Sequence, residues 1–197
     1  MDSYCFLHLR GAGNSADGLL EDLPAVVSGW AHGDIAPWGI WRGLFGVASN
    51  ELVVMAASEY DRALEDFQPA SARIQILQTR LFHPTVRPEN RTPCQKPGIY
   101  VFRFFSVADD DVEEFVALST DAWTTFERAD DYAAEPQGLF RSHTDGDSTE
   151  LLLVTWYDSL QSWQTSRQPA PQARERFARR RALTRSTVAI ATALVVD

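Results

Sequence analysis

One pattern is written twice in this chain, first from Tyr4 and again from Tyr100. Tyr4-Cys5-Phe6 is answered by Tyr100-Val101-Phe102, Gly43-Leu44-Phe45 by Gly138-Leu139-Phe140, and Glu51-Leu52-Val53-Val54 by Glu150-Leu151-Leu152-Leu153. Tyr60-Asp61 aligns with Tyr157-Asp158, and Phe67 falls near Trp163. Each match is short; their shared order is what constrains the fold. Solenoid periods run to about 50 residues, so a repeat twice that long means two domain-sized copies. Between the copies, Pro84, Pro88, Pro93 and Pro97 punctuate a stretch with few apolar residues, which reads as an extended connector. The expected division is an N-terminal half over residues 1–84, a proline-rich linker over 85–97 and a C-terminal half over 98–197.

Each half reads β-α-β-β-α-β. In the first, Tyr4 to Leu9 is an apolar strand, and Leu19, Leu23, Val26, Val27 and Trp30 recur at helical spacing up to a stop at Gly33. Trp38–Val47 and Glu51–Ser58 form a hairpin around Ser49-Asn50, Asp61 caps a short helix through Phe67, and Arg73–Phe82 is the fourth strand. In the second half, Ile99–Phe105 is a strand, and Asp109 or Asp110 caps a helix whose apolar face runs from Val112 to Phe126. A strand follows Gly138, Asp145-Gly146 turns the chain, and Leu151–Tyr157 is the next strand. Asp158-Ser159-Leu160-Gln161 resembles a capping box, and beyond Pro169 and Pro171 an Arg-rich helix over Gln172–Thr184 precedes a last strand, Ser186–Val196. A β-α-β-β-α-β unit is the ferredoxin-like motif, with helices on one sheet face only. A second copy would cover the other face. The expected fold is therefore α+β, two fused ferredoxin-like halves forming a pseudo-dimeric α+β barrel.

Charge and composition narrow the function. Lys plus Arg is 18 against 27 for Asp plus Glu, a net charge of -9, so the chain as a whole repels nucleic acid. The one basic run, Arg174, Arg176, Arg179, Arg180, Arg181 and Arg185, reads either as a solvated helix face or as the rim of a pocket for an anionic substrate. The single lysine, Lys96, lies among prolines, which argues against Schiff-base chemistry. Cys5 and Cys94 have neither metal nor redox spacing, and Cys5 reads as a small core residue. No stretch reaches the roughly 20 apolar residues of a membrane span, and Met1-Asp2-Ser3 lacks the basic start of a secretory leader. A soluble cytoplasmic protein is expected, binding a small molecule and neither nucleic acid nor membrane. Association into a homo-oligomer stays open.

No G-x-S-x-G elbow is present, and Gly11, Gly13 and Gly18 do not space as a dinucleotide fingerprint. No two of the four histidines have metal-binding spacing, so no metal site is expected. His8 shares a strand face with Tyr4 and Phe6; His32, His83 and His143 fall at element ends or turns.

The second half resembles the NIPSNAP family within the dimeric α+β barrel group. The residues that carry the resemblance are Tyr100-Val101-Phe102-Arg103-Phe104, the helix Val112–Phe126, and Leu151-Leu152-Leu153-Val154-Thr155-Trp156-Tyr157-Asp158-Ser159-Leu160, followed by the broken Arg-rich helix. The first half departs from it, with Ala57-Ser58-Glu59 where Thr155-Trp156 would be matched. The resemblance implies a small-molecule cavity between sheet and helices. The wider group includes cofactor-free monooxygenases, haem-degrading enzymes, isomerases and proteins without known activity, and fold alone does not choose among them. A cofactor-free oxygenase needs a dry pocket, a group that stabilises an enolate and a proton-transfer group. His8, Tyr157 and Arg42 are the candidates for those roles, with Tyr4, Phe6, Trp38, Trp41, Tyr100, Phe102 and Trp156 as the aromatic binding surface. No cofactor is required by this reading. Haem held by His8 is the alternative, and a non-catalytic binding module is the third.

Overall fold

Alternation along the first strand decides where its core lies. In the computed structural model, which describes residues 2–30, 35–59, 73–142, 147–168 and 171–196, strand β1 (Ser3–Gly11) turns Cys5, Leu7 and Leu9 to one face. There they join Ala16, Leu19 and Leu23 of helix α1 (Asp17–Trp30) in one buried cluster. Strand β3 (Glu51–Ser58) adds Leu52, Val54 and Ala56 from the same face. Strands β2 (Ala36–Phe45) and β4 (Ile74–Pro84) complete an antiparallel order β4-β1-β3-β2. This unit comprises residues 1–84, 90–97 and 190–197, so its sheet gains a fifth, C-terminal segment, with Trp41 opposite Leu194 and Arg42 opposite Ala193. The expected helix from Asp61 to Phe67 lies outside the described residues, as do His32, Gly33, His143 and Asp145-Gly146.

The second unit comprises residues 85–89 and 98–189. Strand β5 (Ile99–Ala108) pairs antiparallel with β7 (Ser148–Tyr157), and β7 with β6 (Ala134–Ser142). Strand β8 (Thr184–Leu194) borders β5, giving the order β8-β5-β7-β6. Helix α2 (Val112–Phe126) packs Val112, Phe115 and Trp123 onto Phe105, Val107, Leu139, Leu151 and Leu153. Two further helices follow β7: α3 (Leu160–Ser166) and α4 (Pro171–Ala182), the latter packed on α2. The expected proline-rich linker is divided, residues 85–89 going with the second unit and 90–97 with the first.

Local expectations fare unevenly. Helix α2 and strand β3 have the expected bounds, and Ser159 caps α3, its Oγ accepting from the Ser162 amide at 3.1 Å. Neither Asp109 nor Asp110 caps α2. Asp109 to Asp111 form a single 3-10 turn, and the Asp109 carboxylate accepts instead from the Thr149 hydroxyl at 2.7 Å. Strand β6 begins at Ala134, four residues before Gly138, because the register shift between Pro136 and Gly138 accommodates a proline inside a paired strand. Strand β2 carries a like shift between Pro37 and Gly39. Both glycines lie under a ring two residues on: a Cβ at Gly39 would sit 2.2 Å from the Trp41 ring, and one at Gly138 2.5 Å from that of Phe140. Gly138-Leu139-Phe140 thus corresponds in register to Gly39-Ile40-Trp41, not to Gly43-Leu44-Phe45 as the sequence match had it.

Candidate functional site

The helix-facing side of the second unit holds a half-open cavity of about 560 Å³. Period-2 alternation brings Arg103 and Phe105 of β5 and Leu153, Thr155 and Tyr157 of β7 to its floor. Helical spacing brings the other walls: Trp123 and Phe126 from α2, Trp163 and Ser166 from α3, Phe177, Arg180 and Arg181 from or beside the last turns of α4. Phe126 stands edge-on to Tyr157 and Phe177, with centroids 6.3 and 6.4 Å away, so the aromatic wall is continuous across three elements.

Set into this apolar wall are groups that donate hydrogen bonds. Arg180 is buried, its guanidinium carbon 5.1 to 5.6 Å from the ring centroids of Phe177, Phe115 and Phe105, and its Nη1 donates to Ser119 Oγ at 3.3 Å. Burial, with the like charge of Arg103, pushes its pKa down to about 10. Burial lowers that of Arg103 as well, Tyr157 opposing the shift and Arg167 adding to it. Tyr157 is 5% exposed, and burial holds its hydroxyl above the usual phenol range, against the opposing pull of Arg103 and a hydrogen bond with Ser166. It is therefore a protonated phenol at neutral pH. The buried indole Nε1 of Trp163 has no acceptor among the described residues.

Of the three residues expected to carry chemistry, Tyr157 lies in this cavity, and His8 and Arg42 belong to the first unit. His8 Nε2 donates to Glu51 Oε2 at 2.8 Å, and Arg42 Nη2 to Asp17 Oδ1 at 2.6 Å on the surface. Tyr4, Phe6, Trp38 and Trp41 are buried in the first unit, with Tyr4 and Trp38 edge-on at 5.6 Å and the Tyr4 hydroxyl donating to the Asn90 carbonyl. Tyr100, Phe102 and Trp156 lie on the opposite face of β5 and β7 from the cavity floor, Tyr100 directly across from Trp156. Sequence reasoning did not single out Arg103, although a lone cation inside Val101–Phe105 was a visible signal. Within the arginine run, Arg180 is set apart by standing three residues after Phe177, on the apolar side of α4, while Arg179 pairs with Glu114 outside.

No family model and no curated protein sequence matches the chain. Solved structures do. An anthrone oxidase-like protein aligns with 98% of this chain and 91% of its own at a TM-score of 0.63 and 15% identity. The chain has a ferredoxin-like α+β fold. An uncharacterized ferredoxin-fold protein related to antibiotic biosynthesis monooxygenases, from Listeria monocytogenes 4b F2365, covers 100% of this chain and 97% of its own, with a TM-score of 0.58 and 11% identity. Chlorite dismutase from Candidatus Nitrospira defluvii covers 98% and 91%, with a TM-score of 0.62 and 9% identity. At such identities the likeness speaks for the fold. Among the described residues, no helix is long and apolar enough to cross a membrane, and no three His, Cys, Asp or Glu side chains gather as metal ligands.

Among the described residues that line the cavity there is no histidine, cysteine or methionine, and His8, the residue expected to hold a haem, lies in the first unit against Glu51.

Proposed function

We propose that the chain binds a small, largely aromatic molecule in the cavity of its second unit and oxygenates it without a cofactor, as the NIPSNAP-like resemblance and the oxygenase-like neighbours suggest. The observation that carries this reading is the aromatic-walled cavity of about 560 Å³, a volume usual for small-molecule sites, into which Tyr157 projects with its proton retained. The reaction class is oxidation of a methylene flanked by aromatic rings. Loss of a methylene proton to water leaves a carbanion that the rings and the carbonyl conjugated through them delocalise. The carbanion passes electrons to dioxygen; one oxygen atom becomes a new carbonyl, and the other leaves as water with both methylene hydrogens. Tyr157 serves as the proton donor to the oxygen intermediate.

Anthrone is the probe. The expected result is uptake of one dioxygen per anthrone with anthraquinone as product, slowed about tenfold or more by Tyr157→Phe, within the usual contribution of a proton-transfer group. Anthrone that raises the thermal midpoint without oxygen uptake would leave a binding module, the second reading of the sequence. Neither uptake nor a thermal shift would overturn the proposal. We propose as well that the two units are fused copies of one β-α-β-β-α-β element. The support is the like strand order, fourth-first-third-second, and the Pro-x-Gly register shift found in β2 and in β6.

A further inference from the structure

We infer that the molecule held in this cavity carries a negatively charged oxygen group, a carboxylate or a phenolate, seated against the guanidiniums of Arg103 and Arg180. The inference rests on the aromatic-binding reading above and names the polar end of that ligand.

The balance of charge in the cavity is the argument. Among the described residues that line it there is no aspartate or glutamate, yet three arginines besides Arg103 take part: Arg167, Arg180 and Arg181. Neither Arg103 nor Arg180 has a carboxylate partner among the described residues, and no carboxylate contributes to the shift of either. Buried charges in folded proteins are ordinarily paired. Here two like charges face one space, and burial first, with their mutual repulsion second, lowers the pKa of Arg180. Aromatic faces and Ser119 hold Arg180 in place without neutralising it. The neutral polar groups lean the same way: Tyr157 keeps its proton, and the buried Trp163 indole N–H finds no acceptor among the described residues. A wall made of donors and cations, with no fixed acceptor charge, is complementary to a group that only accepts. An ionised carboxylate or phenolate does this, and the planar guanidinium fork suits its geometry. The apolar remainder, Phe105, Trp123, Phe126 and Phe177, selects an aromatic body over a bare inorganic anion.

The test uses the full chain and two fluorescent dyes of nearly the same shape. 1-Anilinonaphthalene-8-sulfonate carries an anionic oxygen group, and N-phenyl-1-naphthylamine lacks it. The expected result is that the anionic dye binds about tenfold or more tightly than the neutral one, a difference of about 1.4 kcal/mol. Arg103→Gln and Arg180→Gln should each remove most of that preference and leave the neutral dye within about twofold, as for loss of one charge-assisted contact. Should Arg180→Gln fail to fold, Arg180→Lys and displacement from the unaltered protein carry the test. 1-Naphthoate should displace the anionic dye and its methyl ester should not. 2,4-Dinitrophenolate in place of 1-naphthoate distinguishes a phenolate from a carboxylate site. Equal binding of both dyes, or displacement by the ester as readily as by the acid, would overturn the inference while leaving the aromatic-binding reading intact. If neither dye binds, it is the aromatic-binding reading that fails.

Discussion

Glu51 collects four hydrogen bonds on one buried carboxylate. Arg10 donates through Nε and Nη2 to Oε1 at 2.9 and 2.6 Å, while His8 Nε2 and the Ala48 amide donate to Oε2 at 2.8 and 3.0 Å. Burial pushes the Glu51 carboxyl up, but these donors outweigh it and hold the group below the usual carboxylate range. The sign follows from linkage. A carboxyl whose folded pKa is depressed adds stability that is fully present above its unfolded value, about 4.3, and is lost as pH falls through the folded value. Glu51→Gln should therefore cost about 1–3 kcal/mol at neutral pH and flatten the fall in the urea midpoint below about pH 4.5. An unchanged acid limb in the variant would remove Glu51 as its cause. Cys5 supplies a second check. It is 1% exposed, and burial pushes its thiol up to about 12, so a thiol reagent at pH 8 should label Cys94 in the native chain and reach Cys5 only in denaturant. The sequence showed that His8 shares a face with Tyr4 and Phe6. It did not show the carboxylate that engages it, because Glu51 comes beside His8 only through pairing between β1 and β3.

At the scale of elements, periodicity made most strands and helices legible, since one face of each is buried and the alternation survives in the residue order. Exceptions occur where a local signal competes with tertiary pairing. Asp109 and Asp110 look like caps, yet Thr149 takes the Asp109 carboxylate. Pro136 looks like a strand breaker, yet a register shift absorbs it. The glycines yield a sharp contrast. A Cβ at Gly18, near the start of α1, meets nothing within 4 Å, whereas at Gly39 and Gly138 it meets an aromatic ring. Gly18→Ala should stabilise the chain by about 0.5–1 kcal/mol through helix propensity. Gly39→Ala and Gly138→Ala should each destabilise by about 1–3 kcal/mol through overpacking. Urea titration followed by tryptophan fluorescence measures all three, and a neutral Gly138→Ala would mean that the Phe140 ring gives way freely. The cavity was half legible at this scale. The Arg-rich helix was visible as either a solvated face or a pocket rim, and it is both: Arg179 pairs outside with Glu114, and Arg180 turns in. Arg103 stood inside the strand that carries the resemblance but was not marked as a site residue, because a single residue in a strand has no period of its own.

Across the whole molecule, residue order and unit membership part company. The first unit takes residues 190–197, and the second takes residues 85–89 from within the proline-rich stretch. No composition shift marks either exchange, so the expected halves 1–84 and 98–197 could not anticipate it. Removing residues 190–197 takes from β2 the partner residues Ala191 to Leu194 and leaves its edge unpaired. A chain ending at residue 189 should lose stability by more than any single substitution above and associate at its bare edge, which urea titration and sedimentation would detect. A truncated chain as stable and monomeric as the full one would show that the pairing contributes little.

This membership also sets a clock. Everything the first unit needs, apart from its final segment, has been synthesised by residue 97, but Ala191 to Leu194 follow only after the whole second unit. At about 5–20 residues per second the nascent β2 edge waits roughly 5–20 s for its partner. Of the two units, the one begun first is finished last.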